Sequence, residues 1–204
     1  MKMKKILKIQ KNKIYFENDD EIIDISPEIK RQFTLKAGDD ITLKYNEICY
    51  EAAFVKGAFL LSLKDRTKKG LKNKLDEKFF NKNAVIKAVD KLERLGYIND
   101  VDYGANFIRN RKYGRQRIII ELINRGLDRE TISLAYETLE SEEKEKNEEF
   151  KDIDDQKLEK AIKKAGKKEE RKLIEYLLRQ GFKLDRIFNK LKEMKENEYD
   201  DEVK

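Results

Sequence analysis

One spacing of apolar residues recurs three times along the chain. Leu71, Leu75, Phe80, Val85, Val89 and Leu92 are separated by +4, +5, +5, +4 and +3. The same steps separate Ile118, Leu122, Leu127, Ile132, Tyr136 and Leu139, and again Leu173, Leu177, Phe182, Ile187, Leu191 and Met194. Steps of three and four keep side chains on one helical face, so each set predicts a helix, a tight turn and a second helix. Gly126 and Gly181 sit in the turns of the second and third sets. The first has Phe79 there, so its turn must be made through another residue, Asn81 or Asn83. An earlier apolar cluster precedes each pair and predicts a third helix: Phe54, Ala58 and Phe59, then Tyr103, Phe107 and Ile108, then Leu158, Ala161 and Ile162.

The N-terminal pattern is different. Ile6, Leu7 and Ile9, then Ile14, Tyr15 and Phe16, then Ile22, Ile23 and Ile25 are short β-branched or aromatic clusters with polar turns at 10–12 and 18–20. They predict a small antiparallel meander, too small to stand alone. Ser26-Pro27 opens a short helix as N-cap and first residue, Gly38 ends that segment, and Asp40-Ile41-Thr42 is expected to start the next helix. A structural cap is the favoured reading of this region over a binding role.

The expected fold class is therefore mainly α: three tandem three-helix modules in an elongated, curved array, with a small β-rich N-terminal extension. The expected division is 1–50 as β-rich cap with a short helix, 51–98 as module one, 99–140 as module two, 141–150 as an acidic joint, 151–197 as module three and 198–204 as a polar tail. A small three-helix module buries little by itself, so neighbours must stack.

Gly96 to Leu127 is the stretch around which the rest is organised. Gly96 and Gly126 are each followed by an apolar residue, Tyr97 and Leu127, the signature of a left-handed helix C-cap with its hydrophobic clamp. Between them lie Arg109, Arg111, Lys112, Arg115 and Arg117. The 204 residues carry 43% charged and 39% apolar side chains and a net charge of +6. That charge is uneven, net +9 over 51–126 and net −7 over 127–160. A basic block followed by an acidic joint permits a polyanionic partner.

Chemistry narrows the reading further. The chain has no His and one cysteine, Cys49, which excludes an internal disulfide and leaves the thiol as a small packing residue without an activating base. The basic N-terminus has no long apolar run and no cleavage pattern, and no stretch approaches a membrane span, so a soluble cytoplasmic protein is expected. No nucleophile–base pair, metal-ligand spacing or phosphate-cradling glycine loop is visible, so no catalytic residue, metal or cofactor is expected. Asp100 and Asp102 read better as acids at a helix N-terminus behind an Asn99 N-cap than as a metal pair. Phe54, Phe59, Phe79, Phe80 and Phe107 read as core, and Tyr113 as a residue covering the helix joint.

Asp65-Arg66-Thr67 before Leu71 and Leu75, Leu95-Gly96-Tyr97-Ile98-Asn99-Asp100 with Tyr103, Arg125-Gly126 and Gln180-Gly181-Phe182 resemble the RecX family of bacterial regulators of the RecA recombinase. The resemblance covers about residues 51 to 195. It implies a modular all-helical protein that binds RecA filaments on DNA, lies in their groove and inhibits their extension, ATP hydrolysis and strand exchange; some members also bind DNA directly. One position departs from the family, which has an acidic residue three after the threonine where this chain has Gly70. That removes a capping box.

The expected contacts with a filament or DNA are Arg66, Lys68, Lys69 and Lys72 in module one, and Arg109, Arg111, Lys112, Arg115 and Arg117 in module two. The expected partners are the RecA filament and single- or double-stranded DNA, with no membrane and no small-molecule substrate, for a monomeric protein. A direct DNA binder using its basic helical repeats is the alternative.

Overall fold

The computed structural model describes residues 3–146, 152–166 and 168–202. Strands β1 (Ile6–Gln10), β2 (Lys13–Phe16) and β3 (Asp19–Asp24) form an antiparallel meander in that order. The helices are α1 (Pro27–Gln32), α2 (Tyr45–Leu63), α3 (Lys68–Asp76), α4 (Lys82–Arg94), α5 (Asp100–Asn110), α6 (Arg115–Asn124), α7 (Arg129–Lys146), α8 (Ile153–Ala165), α9 (Glu170–Arg179) and α10 (Leu184–Glu202). The chain divides into two compact units, Met1–Asp100 and Val101–Lys204.

In the first unit β2 pairs Ile14 with Ile23 and with Ile9, and the sheet buries Ile6, Ile14, Phe16 and Ile23 against α2 to α4 in one core. Hairpin turns need φ > 0, and Lys11 and Asn18 supply it. A polar cluster ties the sheet to α2. Lys4 Nζ donates to Glu21 at 2.5 Å and to Asp19 at 2.8 Å, and the Tyr45 hydroxyl donates to both Glu21 oxygens. Cys49 is buried beside it, and burial pushes its thiol up to about 12, so it stays a packing residue. The Ser26 side chain accepts from Ile29 N–H as the expected N-cap of α1. The next helix begins later than expected, at Tyr45: the Asp40 carboxylate caps Thr42 N–H in a local turn, which holds residues 40–42 outside the helix.

Module one is α2 to α4. Gly57 sits where an added Cβ would lie 2.6 Å from Leu92 Cδ1, so the glycine lets α2 approach α4. The turn between α3 and α4 corrects the expected register. Phe79 is 2% exposed and Phe80 is 69% exposed, so Phe79 fills the core position. With no glycine to go left-handed, α3 ends in αR geometry at Glu77, and Asn81 caps α4 by accepting from Ala84 N–H. Lys82 Nζ caps the end of α3 through the Asp76 and Phe79 carbonyls. Phe59 is likewise exposed, because it lies on the outer side of α2.

The second unit holds two further cores. Phe107, Ile108, Ile118, Leu122, Leu127, Ile132 and Tyr136 belong to one, and Leu158, Ile162, Leu173, Leu177, Phe182 and Ile187 to the other. Gly104 repeats the role of Gly57, its Cβ position lying 2.8 Å from Ala135 Cβ. Each glycine falls fourteen residues before the first residue of its apolar set, Leu71 or Ile118.

The left-handed caps form at Gly96, Gly126 and Gly181, with φ of 78°, 101° and 88°. In each, the residue after glycine donates back to the helix: Tyr97 to Leu92, Leu127 to Leu122 and Phe182 to Leu177. Leu127 and Phe182 are the buried clamps, whereas Tyr97 is exposed and Ile98 takes that place. Through Lys146 the acidic stretch is a continuation of α7; residues 147–150 of the expected joint lie outside the described residues. Helix α10 runs to Glu202, into the segment expected as a polar tail.

Candidate interaction surface

The basic residues around the start of α3 are mostly engaged within the first unit. Lys68 Nζ pairs with Asp90 at 2.9 Å and Glu93 at 2.7 Å on α4, and those two carboxylates raise its pKa. Lys72 pairs with Asp76 one turn on. Arg66 is half-buried, and its Nε has no hydrogen-bond partner. Lys69 is exposed and makes no ion pair among the described residues. Gly70 does not leave α3 uncapped. Thr67 Oγ1 still accepts from Gly70 N–H at 2.9 Å, and the Asp100 carboxylate accepts from Lys68 N–H at 2.8 Å. An acid from the end of the unit thus serves the helix N-terminus that Gly70 cannot.

The second cluster separates into two sets. Arg115 and Arg117, on α6, are part of the packing. The Arg115 guanidinium lies 3.9 Å from the centre of the Tyr136 ring and is 3.6 Å from Asp154 and 3.9 Å from Glu140. Arg117 stacks on Tyr113 at 3.8 Å and pairs with Glu121. Asp154 is 4% exposed, and burial raises its pKa against the opposing pull of Arg115. Burial also raises the pKa of the Tyr136 hydroxyl, which has no hydrogen-bond partner among the described residues.

Arg109, Arg111 and Lys112 instead line a cleft of about 1000 Å³ within the second unit. Arg109 is held by Glu142 at 2.5 Å. Arg111 lies over the Phe107 ring, and Lys112 is exposed. The opposite wall is α8, with Lys157, Lys160 and Lys164 at i, i+3 and i+7 on one face, and Tyr176 and Gln180 of α9 close one end. Reading the sequence by runs of basic residues missed these three lysines, because Lys157 and Lys160 fall in the net-negative stretch 127–160 and Lys164 just beyond it. Their helical spacing was the available signal. Lys157 is the most enclosed. Its ammonium donates to the Ile108 carbonyl at 2.5 Å at the end of α5, and burial lowers its pKa to about 8.

A backbone clasp fixes one side of the cleft. Gly114 N–H donates to the Gln180 carbonyl at 2.9 Å, and Gln116 N–H to the Gly181 carbonyl at 3.2 Å. Only glycine fits at 114, since a Cβ there would lie 2.4 Å from the Gly181 carbonyl carbon and oxygen. The N-terminus of α8 is braced separately: the Asp152 carboxylate accepts from Asp154 and Asp155 N–H, and Arg186 of α10 donates to Asp152 and Asp155.

Among the described residues no group of side chains is placed to hold a metal ion, and no helix is long and apolar enough to cross a membrane. The fold and the surface define a helical-repeat protein with a small N-terminal sheet and a basic cleft. No family model matches the chain. Its sequence is 36% identical over 131 residues to the regulatory protein RecX of Caldanaerobacter subterraneus subsp. tengcongensis, covering 63% of each chain. It is 29% identical to that of Clostridioides difficile, covering 96% of this chain and 98% of the other. The match thus spans less than two thirds of the first relative and nearly all of the second. Among solved structures, a crystal structure of regulatory protein RecX superposes with a TM-score of 0.59 at 20% identity, covering 92% of this chain and 98% of the other. That of RecX from Lactobacillus salivarius gives 0.58, covering 72% and 97%. The chain is thus similar in sequence to regulatory proteins RecX and shares the fold of the solved RecX structures.

Proposed function

We propose that the protein is a regulator of the RecX kind that binds filaments of the RecA recombinase and restrains their growth, ATP hydrolysis and strand exchange in recombination and DNA repair. The observation that carries this reading is the sequence likeness to a named regulatory protein RecX over 96% of this chain and 98% of the relative. Successive helix triplets support it, since weak contacts from linked modules add through effective concentration. A filament on DNA offers carboxylates and phosphates, and arginine and lysine serve either.

Within this reading the contacts are the cations without an internal carboxylate: Arg66 and Lys69 on the first unit, Arg111 and Lys112 on the second. Lys68, Lys72, Arg109, Arg115 and Arg117 hold their own helices together and contribute to the surrounding potential.

The test is DNA-dependent ATP hydrolysis by the same organism's RecA, with this protein titrated in at fixed salt. Inhibition that saturates well below one copy per recombinase monomer, and that excess bare DNA does not relieve, is expected. Arg111→Glu with Lys112→Glu should weaken it without unfolding the chain. Arg115 is unsuited to charge reversal, because a glutamate there would face Asp154 and Glu140. No inhibition at several-fold excess, with tight binding to bare DNA, would replace this reading with that of a direct DNA binder.

A further inference from the structure

We propose that the cleft between the α5–α6 joint and α8 is a nucleotide-phosphate site, taking adjacent phosphates through Arg111, Lys112, Lys157, Lys160 and Lys164. The ligand is a nucleotide, either as a free triphosphate or within a single strand. Four observations carry the assignment, none of which depends on the recombinase reading.

The first is lack of pairing. Several basic side chains of the second unit meet carboxylates: Arg109, which also lines the cleft, meets Glu142, Arg115 meets Asp154, Arg117 meets Glu121 and Lys163 meets Glu159. Among the described residues Arg111, Lys112, Lys157, Lys160 and Lys164 make no such pair, although they share one concavity whose described lining includes one acid, Glu143. Gathering like charges costs energy that a bound anion offsets.

The second is enclosure. Lys157 is withdrawn from water and held by one neutral carbonyl, Ile108 at 2.5 Å. Burial lowers its pKa to about 8 against the opposing pull of Asp154, and a bound anion would raise it again. A solvated lysine face shows neither feature.

The third is shape and lining. About 1000 Å³ lies at the upper end of small-ligand pockets. A duplex is too wide to enter and could meet only the rim, whereas one nucleotide or a short flexible strand fits. Tyr113 and Tyr176 line the same space, with one face of each covered by Arg117 and Lys168, so a base would meet the remaining ring surface. The fourth is rigidity. The clasp of Gly114 and Gln116 on Gln180 and Gly181 fixes the wall bearing Tyr113, so the backbone that carries Arg111 and Lys112 is set before a ligand arrives.

The experiment uses the full chain and fluorescence anisotropy with four probes: a labelled nucleoside triphosphate, a labelled oligothymidylate of about eight nucleotides, a duplex of the same length and labelled polyglutamate. Lys157→Gln/Lys160→Gln/Lys164→Gln is compared with Lys44→Gln/Lys64→Gln/Lys87→Gln, which removes equal charge from exposed positions of the first unit. The triphosphate or the oligothymidylate should bind the parent, and the stronger of the two names the source. The α8 variant should lose about tenfold or more, and the control less than about threefold. For the single strand the slope of log affinity against log salt should become shallower by about 2, at about 0.7 per lost contact. Lys160→Gln/Lys164→Gln alters only exposed side chains and should show a smaller loss of the same kind, with circular dichroism unchanged. Equal losses in the α8 and control variants, parent-like binding by the α8 variant, or no binding of either nucleotide probe would overturn the proposal. So would polyglutamate binding of equal strength and equal sensitivity, which would assign the cleft to an acidic protein segment. Recombinase inhibition is scored separately, so loss of phosphate binding with inhibition retained leaves the regulatory reading standing.

Discussion

At the scale of single residues, the positions that govern the fold are those whose backbone or solvation admits few alternatives. Gly126 at φ 101° is one. A β-branched side chain resists the left-handed region, so Gly126→Val should cost about 1–2 kcal/mol. A melting temperature within error of the parent would remove the cap. Lys157 is another. It titrates at about 8 when folded and near its ordinary 10.5 when unfolded. Between these values the unfolded chain holds the extra proton, so stability rises with pH across the window, and the burial penalty is fully present below about 8. Lys157→Met should therefore be more stable than the parent at pH 7, with the gap closing as pH rises towards 10.5. The Ile108 carbonyl keeps an acceptor role towards Arg111 N–H, so little is lost by removing the ammonium. Urea melts at the two pH values decide it, and a constant gap would show that Lys157 does not titrate there. The glycine caps were legible in the sequence because positive φ demands a residue type. Phe79 and Phe80 were not, because which of two adjacent aromatics turns inward depends on how a glycine-free turn unwinds.

At the scale of elements, three helix–turn–helix pairs were legible because a shared spacing of apolar residues is a strong signal, and Asn81 was among the residues expected to make the irregular turn. The N-terminal strands were legible from β-branched clusters. The start of α2 was not, since Asp40 binds its own backbone two residues on and competes with the helix. Nor was the role of Asp100, which caps α3 from 32 residues away and offsets the loss at Gly70. Contacts at such separations leave no local trace. The same holds for the clasp at Gly114. A Cβ would meet backbone at Gly181, which cannot swing aside as a side chain does, so Gly114→Ala should cost on the order of 1–3 kcal/mol. Amide hydrogen exchange should quicken at Gln116 and at the variant residue, while Leu71 and Leu75 in the first unit keep their protection. Unchanged exchange at Gln116 would mean the clasp yields without breaking.

At the scale of the whole molecule, the sequence shows a basic block and an acidic stretch, but not which cations are left unpaired. Lys68 is neutralised from α4 and Arg115 from α8, so much of the apparent basic patch is internal scaffolding. The three lysines of α8, two of them inside the acidic stretch, add more unpaired charge to the cleft than the run at 109–117. The central claim, regulation of RecA by filament binding, rests on a likeness that spans nearly the whole chain, and it concerns filament growth above all. The most direct measurement follows the length of RecA filaments extending on single tethered strands of DNA as this protein is added. Filaments should stop extending or shorten at substoichiometric protein, with the length of bare strands unchanged. Extension at the unperturbed rate under saturating protein, with bare strands coated instead, would contradict the account.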